Sequence, residues 1–355
     1  DHRDLHSFPT RRSSDLLFLS PASSLPAPLS RRPLALGLTL GLSLGLALGL
    51  SATASAQTLL VSSEKDNQLA VLAADGSLKS TIAVCKRPRH MLLHEASGKV
   101  LVACGDSHQL GVVDVASGKM TDTLPTGESP EIFSLSPDGK TVYVSIEEDN
   151  ELAAYDMASK KRLFGVKTGG EPEGVLVSAD GKTAYVTSEV ANAVHVIDLG
   201  TRKQVAVIKT GKRPRRFAMS PDGKELWVSN ELGASVSIID TASLKVKDTL
   251  AFDLPGMRKT DITPVSLVIT PDGQTAWVGL GKANHVAEVD VASRKVRRAV
   301  LAGKRAWGLA LSADASRLYV ANGLSDDMTT IDTASGKALK TVPAGRVPHS
   351  VLVLK

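Results

Sequence analysis

The chain has 355 residues, 43% of them hydrophobic and 22% charged, with 4% aromatic residues and 29 glycines. That balance excludes long disorder and a multi-span membrane protein, and two cysteines exclude a disulfide framework or a four-cysteine zinc site. The formal charge of +5 at pH 7 invites a polyanion partner only if it is concentrated on the folded part.

Residues 1–16 carry no apolar periodicity and read as an assembly artefact foreign to the fold. Residues 17–56 read as a signal peptide. Arg31 and Arg32 precede an apolar run of Leu, Ala and Gly over 34–50, and Ala54-Ser55-Ala56 offers a small-x-small cleavage site. Arg31-Arg32 partly matches a twin-arginine signal but Pro33 departs from it, so the export route stays open. Cleavage leaves Gln57 first, no membrane span after it, and a periplasmic or secreted destination. Residues 1–56 hold five Arg and three Asp, so 57–355 carries 37 basic and 34 acidic side chains, a net of +3. Broad polyanion binding is not indicated.

From residue 57 onward the sequence repeats. An apolar pair followed by Asp recurs at Asp114, Asp156, Asp198, Asp240, Asp290 and Asp332, with steps of 42, 42, 42, 50 and 42. Val61, Val102, Val144, Val186, Val228, Val278 and Val320 end short apolar runs such as TVYVS and ELWVS, and Ser136-Pro137-Asp138-Gly139 begins a series of Asp-Gly turns. Each repeat predicts four short strands, A to D, joined by tight turns. Seven such units predict an all-β, seven-bladed β-propeller over 57–355. The chain begins with B, C and D strands (59–84) and ends with a lone A strand (349–354), which predicts one shared blade that closes the ring. The repeated Asp is expected to cap its own turn.

Function is expected where the blades differ. Strand A is entered through Pro88, Pro130, Pro172, Pro214, Pro264, Ala306 and Pro348, and the next residue is placed at the mouth of a central channel. Around the ring this position reads Arg89, Glu131, Glu173, Arg215, Val265, Trp307 and His349. Arg87, His90, Arg213, Arg216, Arg305 and Arg346 flank it, and the B-to-C loops bring Glu64, Asp66, Asp106, Glu147, Glu189 and Glu231 among others. Opposed Arg and Glu suit a small ligand with a carboxylate or several hydroxyls, and the indole suits a flat face. Plain ion pairing between blades is the competing reading. The 50-residue step marks an eight-residue insertion within about 251–262, expected to be a lid, a docking loop or a neutral elongation.

The strings YVSI, YVTS, WVSN, WVGL and YVAN resemble the naming motif of the YVTN-type β-propeller family over residues 57–355. SSEKDN (62–67), KRPRH (86–90), EPEG (171–174), KRPRRF (212–217) and KRAWG (304–308) resemble the periplasmic propellers associated with PQQ-dependent alcohol catabolism. The resemblance implies an exported accessory protein without catalysis. Its partner would be a small ligand or a periplasmic protein, such as a quinoprotein dehydrogenase or a transporter component. It assigns no residue to the quinone, so no cofactor is expected.

No haem-attachment motif, nucleophile elbow, P-loop or dinucleotide fingerprint occurs. No metal site and no catalytic residue are assigned, and the protein is expected not to be an enzyme. Glu131 and Glu173 leave open a propeller hydrolase or lactonase using mouth carboxylates. Single-stranded DNA binding would need aromatic platforms beyond Trp307, so nucleic acid is not an expected partner. Cys85 and Cys104 replace Gly and Asn of the repeat on the mouth side of adjacent blades, and a disulfide between them is expected in an oxidising compartment.

Overall fold

The computed structural model describes residues 57–355, so the segments read as artefact (1–16) and signal peptide (17–56) lie outside the described residues. The described residues form 28 strands, β1 to β28 in chain order, in seven antiparallel sheets of four. Among them no helix is long and apolar enough to cross a membrane. The seven-bladed propeller predicted from the 42-residue step is what the chain forms.

Burial explains the strand sequences. B strands are covered on both faces by neighbouring blades, so they read as near-continuous apolar runs. In β17 (Glu225–Asn230), all residues after Glu225 are buried. D strands form the rim, and in β19 (Lys245–Ala251) only Leu250 is buried. The C-strand aspartates accept a backbone hydrogen bond three residues on, as from Ser117 to Asp114 at 3.0 Å and from Ser243 to Asp240 at 2.7 Å. Their repetition is therefore turn chemistry.

The ring closes as expected. Strand β28 (Pro348–Leu354) pairs with β1 (Thr58–Ser63), followed by β2 (Gln68–Ala73) and β3 (Leu78–Ala83) in the same sheet. The insertion at 251–262 is anchored at both ends. Phe252, Leu254 and Ile262 are buried in the apolar seam between the fourth and fifth blades, and the inner strand there, β20 (Leu267–Ile269), is only three residues long.

One irregularity positions the candidate site. In β4 (Pro88–His94), β8 (Pro130–Leu135), β12 (Pro172–Val177) and β16 (Pro214–Met219), the pairing with strand B slips just after the proline. The two residues inside each bulge leave the ladder and turn toward the axis. A B-strand hydroxyl fills most of the gaps. Ser145 accepts the Ile132 amide at 3.2 Å and donates to the Glu173 carbonyl at 2.7 Å, and Thr187 accepts from Gly174 at 2.7 Å and donates to the Arg215 carbonyl at 3.1 Å. Ser62 and Ser229 make the same bridge to the next blade. The Ser or Thr of the YVS and YVT strings is thus a spacer between neighbouring inner strands.

Candidate functional site

The bulges bring Arg89, Glu131, Glu173, Arg215, Trp307 and His349 to one end of the channel. Val265 completes the ring, fully buried. The charged members are paired rather than free. Glu131 is wholly buried between Arg89 and Arg87, the latter at 2.6 Å, and Arg89 also reaches Glu64 at 3.0 Å. In the next blade Glu173 holds Arg216 and, at 3.4 Å, Arg215. Arg215 continues to Glu189, while Arg213 contacts Glu189 at 2.5 Å and Glu231 at 3.3 Å. The site therefore contains two ion-pair networks, contributed together by five blades, with Glu131 and Glu173 engaged as counter-charges.

Two carboxylates in the second network titrate oppositely, because three arginine charges outweigh burial at Glu173 whereas burial prevails at Glu189. Burial raises the Glu173 carboxyl, but the charges of Arg215, Arg216 and Arg89 outweigh it and hold the pKa at about 2. Burial pushes Glu189 up to about 7, helped by the Glu173 charge and opposed by Arg215 and Arg213. A raised carboxyl binds more protons folded than unfolded, so its stabilisation is full below pH 4.5 and lost as pH rises through about 7. The lowered Glu173 acts the other way, losing its contribution as pH falls from 4.5 through about 2. Neutral His90 and His349 also oppose Glu189, since stability falls as pH drops below 6.5 and the unfolded imidazoles charge. The readout that isolates Glu189 is therefore a difference. The melting temperature of Glu189→Gln should rise relative to wild type as pH is raised from 4.5 to 7.5, and a constant gap would refute the assignment.

Below the ring lies a cavity of about 220 Å³. At about 30 Å³ per water it has room for roughly seven waters, which suits a small ligand. His90, Arg216, Ser266, Ser350, Trp307 and His349 supply polar and aromatic lining, with Val175, Leu267, Leu309 and Val351 among the apolar walls. His349 Nδ1 lies 2.9 Å from the Ser350 hydroxyl, and Nε2 accepts from Arg216 at 3.4 Å. Burial, with the charges of Arg89 and Arg216, holds His349 well below its usual value. Burial and Arg216 push His90 down to about 3. Both imidazoles are neutral near pH 7. Gly174 and Gly308 permit the close approach of inner strands, since a Cβ on either would stand 2.3 Å from the carbonyl oxygen of Arg215 or His349.

The sequence-derived ring is thus one layer of a two-layer site. Trp307 and His349 line the cavity, whereas Arg89, Glu131, Glu173 and Arg215 form the network above it. Reading the same register one residue later, His90, Ile132, Gly174, Arg216, Ser266, Gly308 and Ser350, locates the second layer. Cys85 and Cys104 are bonded, with Cα atoms 5.7 Å apart. Among the described residues, no three His, Cys, Asp or Glu side chains form a metal-ligand set.

Comparison with known proteins places this shape among many others. The model of the YNCE-like beta-propeller family matches residues 119–317. No curated protein matches. Among solved structures, the periplasmic gluconolactonase PpgL of Pseudomonas aeruginosa superposes with a TM-score of 0.72 at 20% identity, covering 85% of this chain and 99% of that one. A Bacteroides fragilis protein provisionally named a 6-phosphogluconolactonase gives 0.70 at 18% identity, covering 86% and 99%. Hydrazine synthase of Kuenenia stuttgartiensis gives 0.66 at 23% identity, covering 76% and 95%. At these identities the likeness is one of fold. The expectation that the protein is not an enzyme is nevertheless corrected, because structures of this shape bear lactonase names and the inference from the fold to an absence of catalysis fails.

Proposed function

The chain belongs to the YNCE-like β-propeller family, and on that scaffold we propose that its central cavity takes a small polyhydroxylated ligand and hydrolyses a sugar lactone. The observation that carries the reading is Arg216, a partly buried guanidinium that lines the cavity with one carboxylate partner, Glu173, beside two neutral imidazoles. The names of two neighbours favour the lactone class. In the reaction, water adds to the ring carbonyl carbon, the ring C–O bond breaks, and the released oxygen takes the proton, giving a hydroxy acid. Arg216 stabilises charge developing on the carbonyl oxygen. The free ring nitrogen of neutral His90 accepts a hydrogen bond from water or a sugar hydroxyl, His349 is held by Arg216 and Ser350 and orients that guanidinium, and Trp307 supplies an aromatic wall. Glu131 and Glu173 hold arginines and do not serve as free carboxylates.

Export is part of the proposal, supported by the Cys85–Cys104 bond, which persists in an oxidising compartment. An accessory role beside a quinoprotein dehydrogenase draws no support from the neighbours or the site. The test is acid release from glucono-δ-lactone. Arg216→Gln should lower kcat/KM by about 10²-fold, and a wild-type rate no greater than spontaneous hydrolysis would end the lactonase reading.

A further inference from the structure

Arg87, Arg89, Arg213, Arg215, Arg216 and Arg346 each have a carboxylate within 4.0 Å. Arg305, at the same mouth, has no carboxylate within that distance among the described residues. Its guanidinium carbon instead stands 3.8 Å from the centroid of the Trp307 ring. Stacking occupies the face of a guanidinium and leaves its edge of N–H donors free, and that fork matches a carboxylate in a bidentate pair.

A second observation comes from the same place. Trp307 is 6% exposed and its Nε1–H is buried without an acceptor. Arg215 is likewise 6% exposed, its Nε has no hydrogen-bond partner, and its guanidinium carbon lies 5.2 Å from the same indole centroid. Buried donors normally have partners. A half-buried arginine without an ion-pair partner thus stacks on a cavity-lining indole whose own N–H has no acceptor, with Arg215 over the same ring and its Nε 3.7 Å from Glu231. Ion pairing between blades accounts for the other mouth arginines but gives no reason for this one.

We propose that Arg305, held against Trp307, is a carboxylate anchor, so that the ligand of this propeller is an organic acid or a lactone bearing a second, free carboxylate. The inference rests on the channel being the ligand site and adds the substrate class. Arg305 is supplied by the loop just before Ala306, so its guanidinium can hold a carboxylate at the mouth while the remainder of the molecule enters the cavity beside Trp307 and His349. A neutral sugar lactone lacks the charged group and forgoes that contact.

The test separates binding from hydrolysis. Calorimetry measures the affinity of the exported 57–355 protein for D-glucaro-1,4-lactone, gluconate, glucono-δ-lactone and inorganic phosphate. The two carboxylates should bind roughly ten- to a hundredfold more tightly than the neutral lactone. Arg305→Gln should abolish that preference, and Arg305→Lys should retain part of it because the charge remains without the flat fork. The far-ultraviolet spectrum should be unchanged and the melting temperature should fall only slightly, since Arg305 gives up its stacking on Trp307 but no ion pair. Equal affinities for charged and neutral ligands, or a preference that survives Arg305→Gln, overturn the anchor. Phosphate binding more tightly than either carboxylate overturns the carboxylate class. Carboxylate binding lost in Arg305→Gln upholds the anchor even where no lactone is hydrolysed, so failure of the reaction and failure of the anchor are distinguishable.

Discussion

Replacing Glu173 by alanine should destabilise the propeller by about 3–5 kcal/mol, the range for removing one partner of a buried ion pair. Glu173 is 3% exposed and is the carboxylate within 4.0 Å of Arg216 among the described residues. Its loss leaves that guanidinium charged in the channel, beside Arg215 and within the field of Arg89. Burial and those like charges already push Arg216 down to about 10 even with Glu173 present. The double variant Glu173→Leu/Arg216→Met should recover most of the loss, because it removes both charges and retains side-chain volume. Denaturant unfolding of the two variants checks this. A loss below about 1 kcal/mol for the single change would mean that water reaches the pair and screens it.

Converting both cysteines to alanine should cost about 3 kcal/mol, the loop-closure value for residues 19 apart. The melting temperature should fall by about 5 °C, since the unfolding entropy of a domain of this size is large. The bond joins the linker after β3 to the end of β5 (Lys99–Cys104), tying the shared blade to its neighbour. Both sulfurs lie in the apolar cluster packed between those blades, with Leu60, Val71, Met91 and Val102. Ring closure itself rests on the non-covalent pairing of β1 with β28, so a covalent tie beside it restrains the adjoining seam. Reductant should reproduce the shift in wild type and leave the double alanine variant unchanged. Equal melting temperatures with and without reductant would remove the disulfide from the stability account.

The architecture was legible because it is written in repetition. The Asp of each C strand, the Asp-Gly turns and the valines of each B strand are local signals, and each acts through short-range backbone chemistry. The shared blade followed from strand order at the two ends. The candidate ring was found for the same reason, since a residue after each proline keeps its register around a closed repeat. The second layer, one residue further on, was legible only in part: His90 and Arg216 stand out as flanking residues, whereas Ile132, Gly174, Ser266, Gly308 and Ser350 carry no such signal. In a regular strand that residue would face the opposite side, whereas in this chain the slip between Pro88 and Met91, repeated in other blades, frees both residues from the ladder.

Order and period along the chain suffice to specify seven blades, their closure and the set of residues at the mouth. How that set is used depends on packing between blades. Whether Arg89 faces a ligand or Glu131 depends on distances between blades that are far apart in the chain, and the ring proves largely self-neutralised. Arg305 is distinguished from its repeat equivalents Arg87 and Arg213 by what surrounds it, a tryptophan face in place of a carboxylate. Electrostatic pairing falls steeply with distance and burial, so the same residue type at the same register becomes a structural counter-ion in one blade and an open anchor in another.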